Sequence, residues 1–184
     1  MTRAAKPPVV GIAGWKKSGK TTLITRLIQE FTRRGLRVAS VKHAHHAFQI
    51  DAEETDSAKH RRAGAVSVAI VSASRWALVN ELSGAPEPSL EAVLAAIGPC
   101  DLILVEGYKG APIPKIEARR GATLKQQPLA PGDASVIAVA ADHAADGAGR
   151  PVFALDDIAG LADFLAATLG LGARARPKGE GAAG

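Results

Sequence analysis

The sequence predicts an α/β fold: a mostly parallel sheet with helices on both faces and an antiparallel hairpin at one edge. Three observations lead there. Short apolar runs alternate with segments whose apolar residues recur at helical spacing, the pattern of strands buried under crossover helices. Two strand-like runs, Val66–Ser72 and Trp76–Leu82, are separated only by Ala73, Ser74 and Arg75, which breaks that alternation and makes a hairpin. The chain has 184 residues, 47% apolar and 22% charged, enough for one such core without disulfide or metal support. Aromatic residues are only 4%, so Ala, Val, Ile and Leu must fill it.

Residues 1–8 form a polar, flexible leader ending in Pro7-Pro8, and Val9–Ala13 reads as a short buried strand. A helix begins at Thr21. Its Leu23, Ile24, Leu27, Ile28 and Phe31 share one face, with Thr25, Arg26, Gln29 and Glu30 opposite. Arg33 and Arg34 in the last turn, then Gly35, stop it. Arg37–Val41 is a second strand, followed by a polar, histidine-rich loop from Lys42 to Thr55. Asp56–Arg62 predicts a short helix capped by Asp56 and closed by Gly64. After the hairpin, Pro86 and Pro88 lead into a helix capped by Ser89. Leu102–Val105 is a buried strand between Asp101 and Glu106, and Pro114–Arg119 reads as an edge strand because of its prolines. Ser135–Ala140 and Val152–Leu155 supply two more strands. Asp156 or Asp157 caps a last helix that runs to Leu169 before Gly170. Residues 171–184 are Gly, Ala and charge and predict a disordered tail, leaving 9–170 as a single domain.

The net charge of +5 is unevenly placed. Residues 1–37 hold nine basic groups against Glu30 alone, whereas residues 38–170 hold eleven basic and sixteen acidic groups. A nucleic-acid protein would carry basic stripes interleaved with stacking aromatics, so that class is not expected. A local anion site near the N-terminus is. Cys100, the one cysteine, excludes an internal disulfide and fits a reducing compartment. No run approaches the ~20 apolar residues that span a bilayer. A cytoplasmic protein with no membrane partner is the expectation.

Gly14–Thr21 spells GWKKSGKT, a match to G-x-x-x-x-G-K-[ST]. Glycines in this pattern let the backbone wrap a polyphosphate with its N–H groups turned inward, and the following helix start adds unpaired N–H groups and a positive dipole end. Gly14, Trp15, Lys16, Lys17, Ser18, Gly19, Lys20, Thr21 and Thr22 are therefore the candidate phosphate-binding residues of a P-loop. Lys20 would reach the β- and γ-phosphates, and the Thr21 hydroxyl would ligate Mg²⁺. The motif lies between an apolar run and an amphipathic helix, the context that separates a P-loop from a plain Gly/Lys turn. Its acidic partner, holding Mg²⁺ through water, is Glu106 at the end of LILV. Asp101, at the other end, suits a turn cap.

His43, His45, His46 and His60 lie within eighteen residues, but without a nearby cysteine they read better as a switch-like loop near the γ-phosphate than as a metal site. In that loop Asp51 is a candidate Mg²⁺ partner, as is Asp56. The Asn-Lys-x-Asp sequence with which Ras-like proteins read guanine is absent. VIAVAAD does end in Asp142, whose carboxylate either accepts two N–H bonds from a guanine edge or caps a loop.

GWKKSGKTTL, VKHAHHAFQID, DSAKHRRAGA, LILVEGYK and PKIEARR, in that order, resemble the molybdopterin-guanine dinucleotide biosynthesis adaptor family, MobB. The resemblance covers residues 9 to 169. It implies a P-loop NTPase fold of the SIMIBI-like branch, GTP with Mg²⁺ as ligands, weak GTPase activity and a homodimer. It also implies a partner, the MobA-type molybdopterin guanylyltransferase, and contacts with other molybdenum cofactor enzymes. By position Gly14, Gly19, Lys20, Thr21 and Thr22 bind phosphate, and Glu106 takes the Walker-B place. One departure stands out: MinD-type dimeric relatives carry a lysine directly after the first glycine, and here that residue is Trp15, with Lys16 one place later.

Two other readings share the phosphate cradle. A nickel-insertion GTPase metallochaperone needs a Cys/His pair near the switch region. A small-molecule kinase needs a base beside the γ-phosphate and an arginine lid, for which Arg61, Arg62, Arg119 and Arg120 are candidates. The hairpin, rich in Val, Ile and Leu, carries Trp76, one of two tryptophans, and predicts a two-fold interface unless the Ser89–Gly98 helix covers it.

Overall fold

The computed structural model describes residues 6–44 and 54–172. In chain order the elements are β1 (Val9–Ala13), α1 (Lys20–Arg33), β2 (Val38–Lys42), α2 (Asp56–Arg62), β3 (Ser67–Val71) and β4 (Trp76–Asn80). There follow α3 (Leu90–Ala96), β5 (Leu102–Glu106), β6 (Lys115–Arg119), β7 (Val136–Ala141), β8 (Val152–Ala154) and α4 (Ile158–Leu169). The described residues fall into two compact units, one within residues 1–43 and 97–184, the other within residues 44–96.

The larger unit is a six-stranded sheet in the order β2-β5-β1-β6-β7-β8, and every pairing in it is parallel. Alternate residues of these strands face opposite ways. Val10, Ile12, Leu102, Leu104, Ile116, Ala138 and Ala140 share one apolar cluster with Leu23, Leu27 and Phe31 of α1 and Leu161 and Leu165 of α4. Both helices of this unit thus lie on one face, while a smaller cluster of Ala130, Val136, Val139 and Ala141 is packed by Leu129, Ala145 and Ala148. Helix α1 starts at Lys20, one residue earlier than expected, with Gly19 as its cap. Asp157, not Asp156, caps α4 by accepting the Gly160 N–H at 3.0 Å, and Gly170 ends the helix at a φ of 65°.

One strand lies elsewhere than its sequence suggested. The PKIEAR segment is not an edge: β6 sits at the centre of the sheet between β1 and β7, and all five of its residues are buried. The physical reason is that Pro114 precedes the strand, so no ladder N–H is lost, and its carbonyl accepts from Gly11 at 2.8 Å. The charges of β6 are each matched. Lys115 pairs with Asp133 at 3.0 Å. Bonds from Ser135 and then Lys115 hold the Asp133 carboxyl down to about 2. Glu117 accepts from Leu129, Ala130 and Arg119 at 2.7–2.9 Å.

The smaller unit holds α2, α3 and the hairpin. Helix α2 spans the expected residues, but its cap is Thr55, whose hydroxyl accepts from Ala58, while Asp56 sits in the first turn and binds Lys59 at 3.0 Å. Strands β3 and β4 pair antiparallel, Val68 opposite Val79 and Val71 opposite Trp76. They form a two-stranded sheet of their own rather than an extension of the larger one. Val68 is buried, but on the other face Val71 and Trp76 are 75% and 71% exposed, with Leu78 beside them 51% exposed. Trp76 is therefore not a core residue. Ser89 caps α3 as expected, accepting from Ala92 at 3.2 Å.

Candidate nucleotide site

The turn after β1 is built around two glycines. Gly14 has a φ of 144°, and a Cβ there would lie 2.5 Å from the Ala118 carbonyl oxygen and from Ser18 Oγ. Gly19, with a φ of 91°, leaves space for the Arg120 guanidinium, whose Nε would be 2.8 Å from an added Cβ. Between them Ser18 N–H donates to Trp15 O at 3.1 Å, closing the loop, and Lys17 adopts a φ of 68°. The Ser18 hydroxyl is buried with no hydrogen-bond partner. Lys16 and Lys17 are exposed. The first turn of α1 contains no acidic residue of its own and its cap makes no side-chain hydrogen bond, so its N–H groups and positive dipole end are left for a ligand.

Lys20 and Thr21 show how this cradle is held. The Lys20 ammonium donates to Trp15 O at 2.7 Å. Burial lowers its pKa, the Glu106 carboxylate opposes that, and the Lys109 and Lys42 ammonium groups reinforce it. The Thr21 hydroxyl donates to Glu106 Oε1 at 2.7 Å, and Lys42 lies 3.9 Å from Oε2. Glu106 is buried at the carboxyl end of β5, so the two residues expected to share a divalent cation are in direct contact across 85 positions of sequence. Asp101 instead accepts the Arg37 backbone N–H at 2.9 Å and pairs with its guanidinium.

A cavity of about 730 Å³ opens beside Gly19 and Thr22, lined also by Arg26, Asp142, Phe153 and Leu155. Asp142 follows β7, and its Oδ1 accepts from Gly121 N–H at 2.7 Å and lies 3.0 Å from His143 Nδ1. His143, then Gly121, hold this carboxyl below its ordinary pKa. It thus anchors a neighbouring loop and also lines the cavity.

Three long-range contacts at this site carry no signal in the sequence. Trp15 donates its indole N–H to Gln127 O at 2.8 Å, tying the loop to the segment after β6. Lys109 stands 3.9 Å over the Trp15 ring. Arg120, read only as a lid candidate, lies against Gly19 and lines the cavity. All three contacts join residues far apart in the chain, so no spacing rule finds them.

The model of the molybdopterin guanine dinucleotide synthesis protein B family, MobB, matches residues 9–142. The chain belongs to the MobB family. It is 38% identical over 161 residues to the molybdopterin-guanine dinucleotide biosynthesis adapter protein of Haemophilus influenzae, covering 86% of this chain and 87% of that one. To the Escherichia coli adapter protein it is 37% identical, covering 86% and 91%. Solved MobB structures share the fold. That of Bacillus subtilis MobB superposes with a TM-score of 0.70 at 26% identity, over 88% of this chain and 98% of its own. A MobB homologue from Bacillus stearothermophilus gives 0.64 at 30% identity, over 88% and 97%.

Within this MobB chain, Asp51, His45 and His46 lie outside the described residues. His43 stacks against Tyr108 with ring centroids 4.6 Å apart, and His60 is on α2. Among the described residues no three His, Cys, Asp or Glu side chains are grouped to hold a metal ion. None of their helices is long and apolar enough to cross a membrane.

Proposed function

We propose that this protein is a GTP-binding adaptor in molybdopterin guanine dinucleotide biosynthesis, working beside the guanylyltransferase that converts molybdopterin to the dinucleotide. The observation that carries the reading is the Thr21–Glu106 hydrogen bond set beside a glycine cradle with Lys20 at its mouth. A buried carboxylate, a hydroxyl and an outward-facing helix start form the donor set that a Mg²⁺–polyphosphate needs. Ser18 Oγ, buried without a partner, and the glycine-only space at Gly14 favour the same ligand.

In this reading Gly14–Gly19 wrap the phosphates and Lys20 leaves the Trp15 carbonyl to neutralise them. Thr21 and Glu106 hold Mg²⁺, Glu106 through water. The ion, when bound, screens the phosphate charge. Thr22 and Asp142 face the cavity, whose volume suits a nucleoside, and the free Asp142 Oδ2 accepts from the guanine edge. Glu106 is engaged by Thr21, which leaves it poorly placed as a kinase base, and turnover far below one GTP per second is expected with Trp15 standing where MinD-type relatives carry their lysine.

The assembly is a homodimer. The support is the hairpin face of Val71, Trp76 and Leu78, an apolar surface of the kind that soluble proteins cover. The experiment for the adaptor role is co-purification of the full chain with a purified MobA-type guanylyltransferase, with GTP and Mg²⁺ and without. Complex formation is expected, and its absence in both conditions contradicts the role.

A further inference from the structure

Trp15 and Lys109 form a pair whose place in the fold has a use beyond packing. The chain leaves β5 through Gly107 and Tyr108, both with positive φ, 94° and 49°. For tyrosine this is an uncommon and costly conformation that its surroundings must hold. The Tyr108 ring lies against His43, and its carbonyl accepts from Ala111 at 2.9 Å. The turn presents Lys109, exposed at its tip, with Nζ 3.9 Å from the centre of the Trp15 ring. A lysine held on an indole face is less free than a surface lysine on its flexible stem.

The direction of the cradle follows from two contacts. The cavity that suits a nucleoside adjoins Gly19 and Thr22. Lys20, which serves the β- and γ-phosphates in such loops, instead reaches Trp15 O at 2.7 Å. A nucleotide lying from one to the other ends with its last phosphate beside Trp15, under Lys109. Among the described residues whose charges act on Lys20, Lys109 and Lys42 are positive and Glu106 is negative. The end of the cradle thus carries an excess of positive charge.

Resting on the nucleotide reading above, we propose that Lys109, seated on Trp15, is the residue that distinguishes a nucleoside triphosphate from a diphosphate, by pairing with the terminal phosphate. The α- and β-phosphates lie within the loop and need no such cation.

The test is calorimetric titration of the full chain with GTP and with GDP, each with excess Mg²⁺, for the unsubstituted protein, Lys109→Met, Lys109→Arg and Lys20→Ala. Lys109 is exposed, and Met keeps the stem on the ring while removing the charge. Lys109→Met is expected to lose about tenfold in GTP affinity, the scale of one charge-assisted hydrogen bond, with GDP changed by less than about twofold. Lys109→Arg should restore most of the loss. Equal loss for both nucleotides, or none, in Lys109→Met while Lys20→Ala loses binding overturns this inference alone. No binding by the unsubstituted chain overturns the nucleotide reading together with it.

Discussion

Glu106 accepts the Thr21 hydroxyl at 2.7 Å in a buried position, so its charge can be removed without opening the fold. In Glu106→Gln the amide oxygen still takes that bond, but the negative charge proposed to hold Mg²⁺ is gone. The expected outcome is a GTP affinity that no longer rises with Mg²⁺, a loss of about tenfold in saturating metal, with an unchanged melting temperature. Titrations with and without Mg²⁺ check it. At this scale the sequence was informative where chemistry follows chain order. The eight letters from Gly14 to Thr21 marked the two-glycine turn, and the carboxylate after LILV marked the residue that Thr21 meets. Lys109 over Trp15 and Arg120 against Gly19 were not legible, because each depends on two loops meeting after the sheet has formed.

Strand β6 shows where an elementary rule was applied to the wrong position. Prolines near PKIEAR suggested an edge, yet Pro114 lies just outside the strand and the ladder is complete. Its alternating Lys115, Glu117 and Arg119 also look like a solvated face, and all are buried because each meets a partner from the segment that follows. Glu117 is the most exacting of these. It satisfies two backbone N–H groups, of Leu129 and Ala130, and the Arg119 guanidinium. Glu117→Ala leaves all three without that acceptor and should cost about 3–5 kcal/mol, the usual penalty for stranding a buried charge. Urea denaturation measures this, and a loss under about 1 kcal/mol would mean that the pair behaves as a surface salt bridge. The cap of α2 is a smaller case: Thr55 and Asp56 are both good caps, and only backbone geometry separates them.

At the scale of the molecule, periodicity was enough for the parallel sheet and its helices, and residue order within the hairpin was enough for an antiparallel pair. The hairpin's independence from the sheet was not legible, since strand patterning records which face is apolar and not which neighbour takes the edge. Its exposed face leads to a prediction for the assembly. A species of about 38 kDa, twice the 18.9 kDa chain, is expected by light scattering at micromolar concentration. Trp76→Ser should shift it toward monomer, and a single-chain mass for the unsubstituted protein would remove the hairpin from the interface.

The central claim is that the Gly14–Thr21 turn binds a nucleotide polyphosphate through Lys20. Calorimetry of GTP with Mg²⁺ against the full chain and against Lys20→Ala tests it most directly, with circular dichroism to establish that the variant is folded. Binding by the full chain and at least a tenfold weaker affinity in folded Lys20→Ala are predicted, in keeping with a charge-assisted contact to phosphate. Equal affinities in two folded proteins, or no binding in either, would contradict the account.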